Sequence, residues 1–388
     1  MVPLFFPAEF EFSPYFSYTF GMIKKYLVIG AGAAGVKAAE ELRRLDAEAQ
    51  ITLVNGEDRL PYKRTKISKA LAQGFAQDEF ATFPESWYIG NRIELLTGWT
   101  AENIDPRSKT VDFGQRGRLG YDKLLLSLGS IPHHSEAPVL RNAGDGENLR
   151  KIWQDEPSIR ILGGGVLGVE MAEQAHLMGK KTTLVSRSGV LLGNDLTPEV
   201  SKRLGDLLLT KGIKLVVGTS QGSLFHGAAL GSPPRVQLAR KSGLDYDLGI
   251  LVNSNFQTSE EDIYAAGDCC QLPSGQVCHL WHEAESQGAA AARSMANFPV
   301  NFDPRPYRLK LEVFDDYYFS MGRRNENPWK VREFPSPIFG GKSIYQAWFG
   351  DGEGVSGVVM AGDKERAKVY EQAVLEHWNL EKVSKDLG

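Results

Sequence analysis

Tyr26-Leu27-Val28-Ile29-Gly30-Ala31-Gly32-Ala33-Ala34-Gly35 joins an apolar run, a glycine-rich loop and the opening of a helix within ten residues. The run is short and fully apolar, as a buried strand is. A stretch rich in alanine and charge follows from Val36 to Leu45, then a second strand from Gln50 to Val54. Strand, loop, helix and strand make a β-α-β unit, in which the three glycines have separate jobs. Gly30 permits the tight turn, Gly32 lets the backbone approach a pyrophosphate, and Gly35 lets helix pack on strand. Ala33 and Ala34 sit at the helix start, where unpaired N–H groups and the helix dipole favour an anion. The same grammar returns at Ile159-Arg160-Ile161-Leu162, followed by Gly163-Gly164-Gly165-Val166-Leu167-Gly168. A helix from Val166 to Met178 and the strand Thr182-Thr183-Leu184-Val185 complete it. One such loop is a weak signal, because glycine-rich turns are common. Two in the same context predict two dinucleotide sites, with electrons passing between the bound nucleotides.

The residues after each second strand carry further information. Glu57 lies twenty-two residues beyond Gly35, near the usual interval of about 20 for an acid that binds ribose hydroxyls. Asn55 is closer to the strand end and could share that role. The second unit ends instead in Val185-Ser186-Arg187-Ser188, with no acid. A carboxylate there would bind the 2′-hydroxyl of NADH and repel the 2′-phosphate of NADPH. Ser186 and Arg187 suit the phosphate, arginine through a bidentate fork, unless Arg187 points to solvent. Either NADH or NADPH is therefore open.

The bulk numbers exclude several classes. A chain of 388 residues holds two or three domains. A net charge of −4 gives no basic field for nucleic acid, and no run reaches the ~18 apolar residues of a membrane span. Three cysteines, Cys269, Cys270 and Cys278, cannot build a disulfide framework, which fits a reducing, cytoplasmic setting. Residues 1–21 are crowded with phenylalanine and tyrosine but lack the charged start and cleavage site of a secretory signal. They read as a poorly ordered extension, absent if translation begins at Met22, rather than as a docking segment. Tyr121 to Leu128 reads as a buried strand and Gly249 to Asn253 as another. Gly218 to Leu248 shows no clear alternation. Ile263 to Ala266 reads as a strand and Glu283 to Ala296 as a helix. From about Pro304 short aromatic strands lead to a helix over Asp363–Trp378.

Tyr62, Arg64, Ser68 and Lys69, after Leu60-Pro61, resemble the segment after the second strand in FAD-dependent NAD(P)H reductases of rubredoxin, ferredoxin and nitrite-reductase type. Tyr264-Ala265-Ala266-Gly267-Asp268, after Gln257-Thr258-Ser259, resembles the second flavin motif of the pyridine nucleotide–disulfide oxidoreductase superfamily. Ser127-Leu128-Gly129 resembles its Ala-Thr-Gly turn with two replacements, at a place where backbone geometry is expected to matter more than side chain. Phe319-Ser320-Met321-Gly322 and Gly354 to Asp363 extend the likeness into the C-terminal region.

The resemblance implies an α/β fold of two Rossmann-like dinucleotide-binding domains, the second inserted in the first, plus a C-terminal α+β domain. It implies FAD on residues 22–133 and 250–303, NAD(P) on 134–249, and an interface domain over 304–388. FAD would be held by Gly30, Gly32, Ala33, Ala34, Gly35, Asn55, Glu57, Arg64, Lys69, Ala101, Gly129, Gly267, Asp268 and Trp281. Trp281 either nears the flavin edge or packs in the core. The nicotinamide dinucleotide would be held by Gly163, Gly165, Val166, Leu167, Gly168, Glu170, Ser186 and Arg187. Glu170 would lie near the nicotinamide and Lys69 beside the flavin, with no general acid or base strictly required.

The implied activity is hydride transfer from nicotinamide to flavin, then electron transfer to a small protein such as rubredoxin or ferredoxin. An NAD(P)H oxidase using oxygen and a low-turnover sensor or assembly flavoprotein are the alternatives. A monomer and a homodimer are both compatible with it. Many relatives carry redox cysteines shortly after the first unit; Arg59 to Leu71 has none, which excludes a dithiol relay there. Cys269, Cys270, Cys278, His279 and His282 match no metal-ligand spacing, so no metal is expected. His133-His134 reads as a loop hinge or surface. Ala229-Leu230-Gly231-Ser232-Pro233-Pro234 keeps something like a second Ala-x-Gly-x-x-Pro turn. Thr219 to Ala228 is too short for the family's three-stranded meander, so the NAD(P) domain is either pared down or weakened.

Overall fold

A computed structural model describes residues 23–218, 224–323, 328–335 and 343–387. The N-terminal extension lies outside the described residues, as does part of the short 219–228 stretch.

The first unit runs β1 (Lys25–Ile29), α1 (Ala33–Leu45), β2 (Gln50–Asn55), α2 (Ile67–Ala70), α3 (Glu85–Gly90) and β3 (Ile93–Thr97). An antiparallel meander follows as β4 (Asn103–Asp105), β5 (Thr110–Asp112) and β6 (Arg118–Gly120), before β7 (Lys123–Leu126). β1, β2, β3 and β7 pair in parallel, and β1 and β2 are buried on both faces because helices and the meander cover them.

The second unit runs α4 (Ala143–Asp155), β8 (Ser158–Leu162), α5 (Val166–Leu177), β9 (Lys181–Ser186), α6 (Pro198–Thr210), β10 (Lys214–Val217) and β11 (Gly227–Ala228). A reciprocal capping box between Asn142 and Asp145 starts α4, and Thr197 with Pro198 starts α6. Its sheet has the order β10-β9-β8-β11, all parallel, and among the described residues it carries no meander. The chain then forms α7 (Gln237–Lys241), β12 (Ile250–Leu251), β13 (Ile263–Ala265), β14 (Cys270–Gln271) and α8 (Trp281–Met295). β13 returns to the edge of the first sheet beside β7. The strand expected over Gly249–Asn253 is thus corrected to two residues, paired with β14 outside the main sheet. The patternless 218–248 stretch does hold regular structure, β11 and α7. These elements are too short to show a period.

The C-terminal sheet is antiparallel: β15 (Arg308–Val313), β16 (Asp316–Gly322), β17 (Lys330–Pro335), β18 (Ser343–Gly350) and β19 (Val355–Ala361), in the order β15-β16-β19-β18-β17. The helix expected over Asp363–Trp378 is shorter, α9 (Ala367–Leu375), and a second, α10 (Leu380–Asp386), follows it. Neighbouring residues of a strand face opposite sides, and both sides are covered. Leu311, Tyr318 and Val359 share a core with Val169, Met171 and Leu204 of the second unit. Phe319, Trp348 and Met360 pack with Tyr370 and Val383 of α9 and α10. A buried fork fastens the sheet to α6: Arg203 Nε and Nη2 donate to Asp316 Oδ2 and Oδ1 at 3.1 and 2.8 Å, and Tyr318 donates to the same carboxylate.

Candidate functional site

The two glycine loops have the same internal geometry. Gly30 has φ of +103°, and a Cβ there would stand 2.3 Å from Ser127 O. A Cβ on Gly35 would stand 1.9 Å from Gly30 O. In the second unit Gly163 (φ +122°) meets Ala229 O at 2.2 Å, and Gly168 meets Gly163 O at 1.8 Å. The outer glycines are therefore demanded by the chain's own backbone. The middle ones are not: a Cβ on Gly32 or Gly165 would have nothing within 4 Å. Each caps a helix whose first N–H groups open onto a cavity, which is the fit a pyrophosphate requires.

Gly32, Ala33, Ala34, Arg64, Gly129, Gly267, Asp268 and Trp281 line the first cavity together. Gly30 and Ala101 line a neighbouring one with Gly56, Trp99 and Arg235. Asp268 accepts from the Ser130 hydroxyl at 3.1 Å, and Gly267 N donates to Gln287 Oε1 at 2.8 Å. Asn55 and Glu57 are drawn into the turn after β2. Asn55 Nδ2 donates to Arg59 O at 2.8 Å, while Glu57 accepts from Tyr62 OH at 2.8 Å and from Arg64 Nη2. Ser127 adds a side-chain contribution to its backbone one: its hydroxyl lies 3.0 and 2.7 Å from Ile29 O and Gly30 O and braces the loop.

Two arginines escaped the sequence reading. Arg141 joins Arg64 around the first cavity and Arg235 lines the neighbouring one; burial, and then the neighbouring Arg64 charge, pulls the pKa of Arg141 and of Arg235 down. Three cations gathered this way call for an anionic ligand. Both lie in loops between elements, where no periodicity or motif marks them.

In the second unit Gly165, Val166 and Leu167 line a cavity with Arg141, His133, Leu230 and Gly231. His133 thus faces a cavity, which differs from the hinge or surface place expected for its loop. Gly231 has φ of +89°, matching Gly129 at +71°, and Ala229 stands to its glycine loop as Ser127 does to the first. The two turns meet where the Ser130 and Ser232 hydroxyls lie 3.2 Å apart. Ser186 is buried at the end of β9 and Arg187 is exposed.

Glu170 and Lys69 bring the units together. Glu170, buried on α5, accepts from the Ser68 hydroxyl at 2.6 Å and has Lys69 Nζ at 3.7 Å. Burial pushes its carboxyl pKa above the ordinary 4.5, and burial does the same to Glu173 one position short of a turn further on. The folded protein therefore binds this proton more tightly than the unfolded chain. Stability falls as pH rises from about 4.5 to the raised folded value. Glu170→Gln is expected to remove that loss, so the variant's melting temperature gains on the parent's across this window and then levels. Parallel melting curves between about pH 4 and pH 7 would contradict it.

The cysteines are inert by environment. Burial pushes the Cys269 thiol up to about 11 and Cys278 up to about 12, and raises Cys270 as well. Cys269 Sγ lies 3.3 Å from Leu126 O, and Cys270 Sγ lies 3.3 Å from Gln287 Oε1.

Two glycine-loop cradles at helix N-termini, with Arg141 lining the cavity of each and a buried acid and a lysine across the seam, define an oxidoreductase built on two dinucleotides. The chain belongs to the pyridine nucleotide-disulphide oxidoreductase family, whose sequence profile matches residues 24–223 and 227–288. FAD and NAD(H) are the cofactors of that family. The chain is 30% identical over 305 residues to the ferredoxin–NAD(+) reductase component of a 3-phenylpropionate/cinnamic acid dioxygenase from Photorhabdus laumondii, covering 70% of this chain and 77% of that one. It is 30% identical over 329 residues to an NADH-rubredoxin oxidoreductase of Clostridium acetobutylicum, covering 79% and 84%. Its fold matches the reductase of a covalent putidaredoxin reductase–putidaredoxin complex, with a TM-score of 0.80, 22% identity and coverage of 91% and 93%. Among the described residues no helix is long and apolar enough to cross a membrane.

Proposed function

We propose that this protein is an FAD-dependent NAD(P)H oxidoreductase that passes electrons to a small redox protein of rubredoxin or ferredoxin type. One observation carries the reading: two open phosphate cradles face a common seam, and Arg141 lines the cavity on each side of it. The relatives named above, which act with ferredoxin or rubredoxin by their names, support the choice of acceptor. In this reading residues 22–133 and 250–303 bind FAD, 134–249 bind NAD(P), and 304–388 form the interface domain. Three free thiols, two of them buried, accord with a cytoplasmic setting.

Bound FAD supplies hydride acceptance from a nicotinamide and release of single electrons. The chain's own part is positioning and electrostatics. The N-termini of α1 and α5 would hold the two pyrophosphates, and Arg64, Arg141 and Arg235 would offset the charge of the first. Asp268 would accept from ribityl hydroxyls, and Gly267 would let the backbone pass close to the ring. Lys69, held by Glu170, places a positive charge at the seam. No thiol lies in the Arg59–Leu71 segment to intercept the electrons.

The test is anaerobic titration of the purified yellow protein with NADH and NADPH, followed by oxidised rubredoxin or ferredoxin. Bleaching by at least one nucleotide and reoxidation by an acceptor are expected. Failure of both nucleotides to bleach the flavin would overturn the proposal. Oxygen uptake as fast as acceptor reduction would select the oxidase.

A further inference from the structure

We infer that the second site takes NADPH in preference to NADH, and that Ser186 and Arg187 form its 2′-phosphate subsite. The inference rests on the reading just given and departs from the NAD(H) in the relatives' names.

The two halves offer an internal comparison. β2 and β9 are equivalent strands, each next to the strand that feeds its glycine loop. β2 ends at Asn55 and the chain continues Gly56-Glu57, with a carboxylate two residues past the strand end. After β9 it reads Arg187-Ser188-Gly189, and the next acid in the chain is Asp195. One fold, used twice, thus carries opposite chemistry within two residues of the same strand end. A carboxylate there suits a ribose diol, whereas a guanidinium and hydroxyls suit a phosphate ester.

The local geometry keeps this strand end beside the phosphate loop. A Cβ on Gly164 would stand 2.8 Å from Ser186 Cβ, and Leu192 N donates to Gly164 O at 2.8 Å. The loop after β9 is thereby folded back over the glycine fingerprint. Arg187 is exposed there, and among the described residues it has neither a hydrogen bond nor an ion pair. By contrast the guanidiniums of Arg64 and Arg203 are each engaged by a carboxylate. A cation without a protein partner among the described residues, one residue past a strand end that stands beside the glycine loop, is free to fork onto a phosphate.

Calorimetric titration of the FAD-loaded protein with 2′,5′-ADP and with 5′-AMP reads the subsite without turnover. The 2′-phosphorylated ligand is expected to bind at least about tenfold more tightly, since charge-assisted forks are the strong hydrogen bonds. Arg187→Ala is expected to abolish that preference, and Ser186→Asp to invert it. In stopped flow the parent should bleach with NADPH at least about tenfold more efficiently than with NADH. Equal affinities for the two adenosine ligands, binding of neither, or an unchanged preference in Arg187→Ala would each overturn the inference. Equal bleaching by both nucleotides would sink this inference alone, while bleaching by neither would sink the proposed function with it.

Discussion

Gly32→Val yields a folded, colourless protein. The ideal Cβ at this position has nothing within 4 Å, and the backbone sits at φ −81° and ψ −167°, open to any residue. The added methyls therefore meet no protein atom near the Cβ and occupy the space into which the N-terminus of α1 opens. FAD affinity should fall at least about 100-fold, or about 2.8 kcal/mol, because the pyrophosphate can no longer approach the helix N–H groups. Apoprotein stability should fall by no more than about 1 kcal/mol, the size of a lost helix-cap preference. Gly35→Val is the contrasting case. Its Cβ would lie 1.9 Å from Gly30 O, so α1 must move off β1, and destabilisation of about 1–3 kcal/mol should accompany loss of flavin. Flavin content from the visible spectrum and chemical unfolding of the two apoproteins separate the cases. A yellow Gly32→Val protein with parental FAD affinity would refute the cradle.

Gly165→Val moves the same experiment to the second loop, with the opposite spectral result. Its Cβ also has nothing within 4 Å, and its φ of −82° tolerates valine. The purified variant should remain yellow, because the FAD cradle is untouched. Bleaching by NADH and by NADPH should slow at least about 100-fold at subsaturating nucleotide, since the second pyrophosphate loses its approach to α5. Dithionite should still bleach it fully, showing that the flavin itself is competent. Parental bleaching rates would mean that nicotinamide nucleotides reach the flavin by another route. Together the two valines assign one nucleotide to each loop.

Much of this site could be read from residue order. The two fingerprints, the Gly267-Asp268 pair and the Ser127-Leu128-Gly129 turn are local signals, and the structure brings them to the same cavities. Glu57 and Asn55 were recognised as the polar residues after β2, but their engagement by Tyr62, Arg64 and Arg59 was not legible. Those contacts depend on how the 58–66 loop folds back, which no spacing rule encodes. Arg141 and Arg235 were invisible for a related reason. Each is a single charge in an irregular segment, and its meaning comes from Arg64, 77 and 171 residues away in the chain. Weak periodicity also explains β11 and β12, two residues each, whose pairing is set by their neighbours alone.

Residue order alone decided that there are two dinucleotide folds and that no thiol follows the first of them. Glycine spacing and strand-to-helix changes of period are short-range properties, and steric limits on φ, ψ and Cβ act within a few residues. Tertiary structure alone decided that the two cradles share a seam, that Glu170 of one unit holds Ser68 and Lys69 of the other, and that Arg203 locks the C-terminal sheet to α6. Burial, charge pairing and cavity walls arise only when distant segments exclude water between them, and that exclusion is a property of the folded whole.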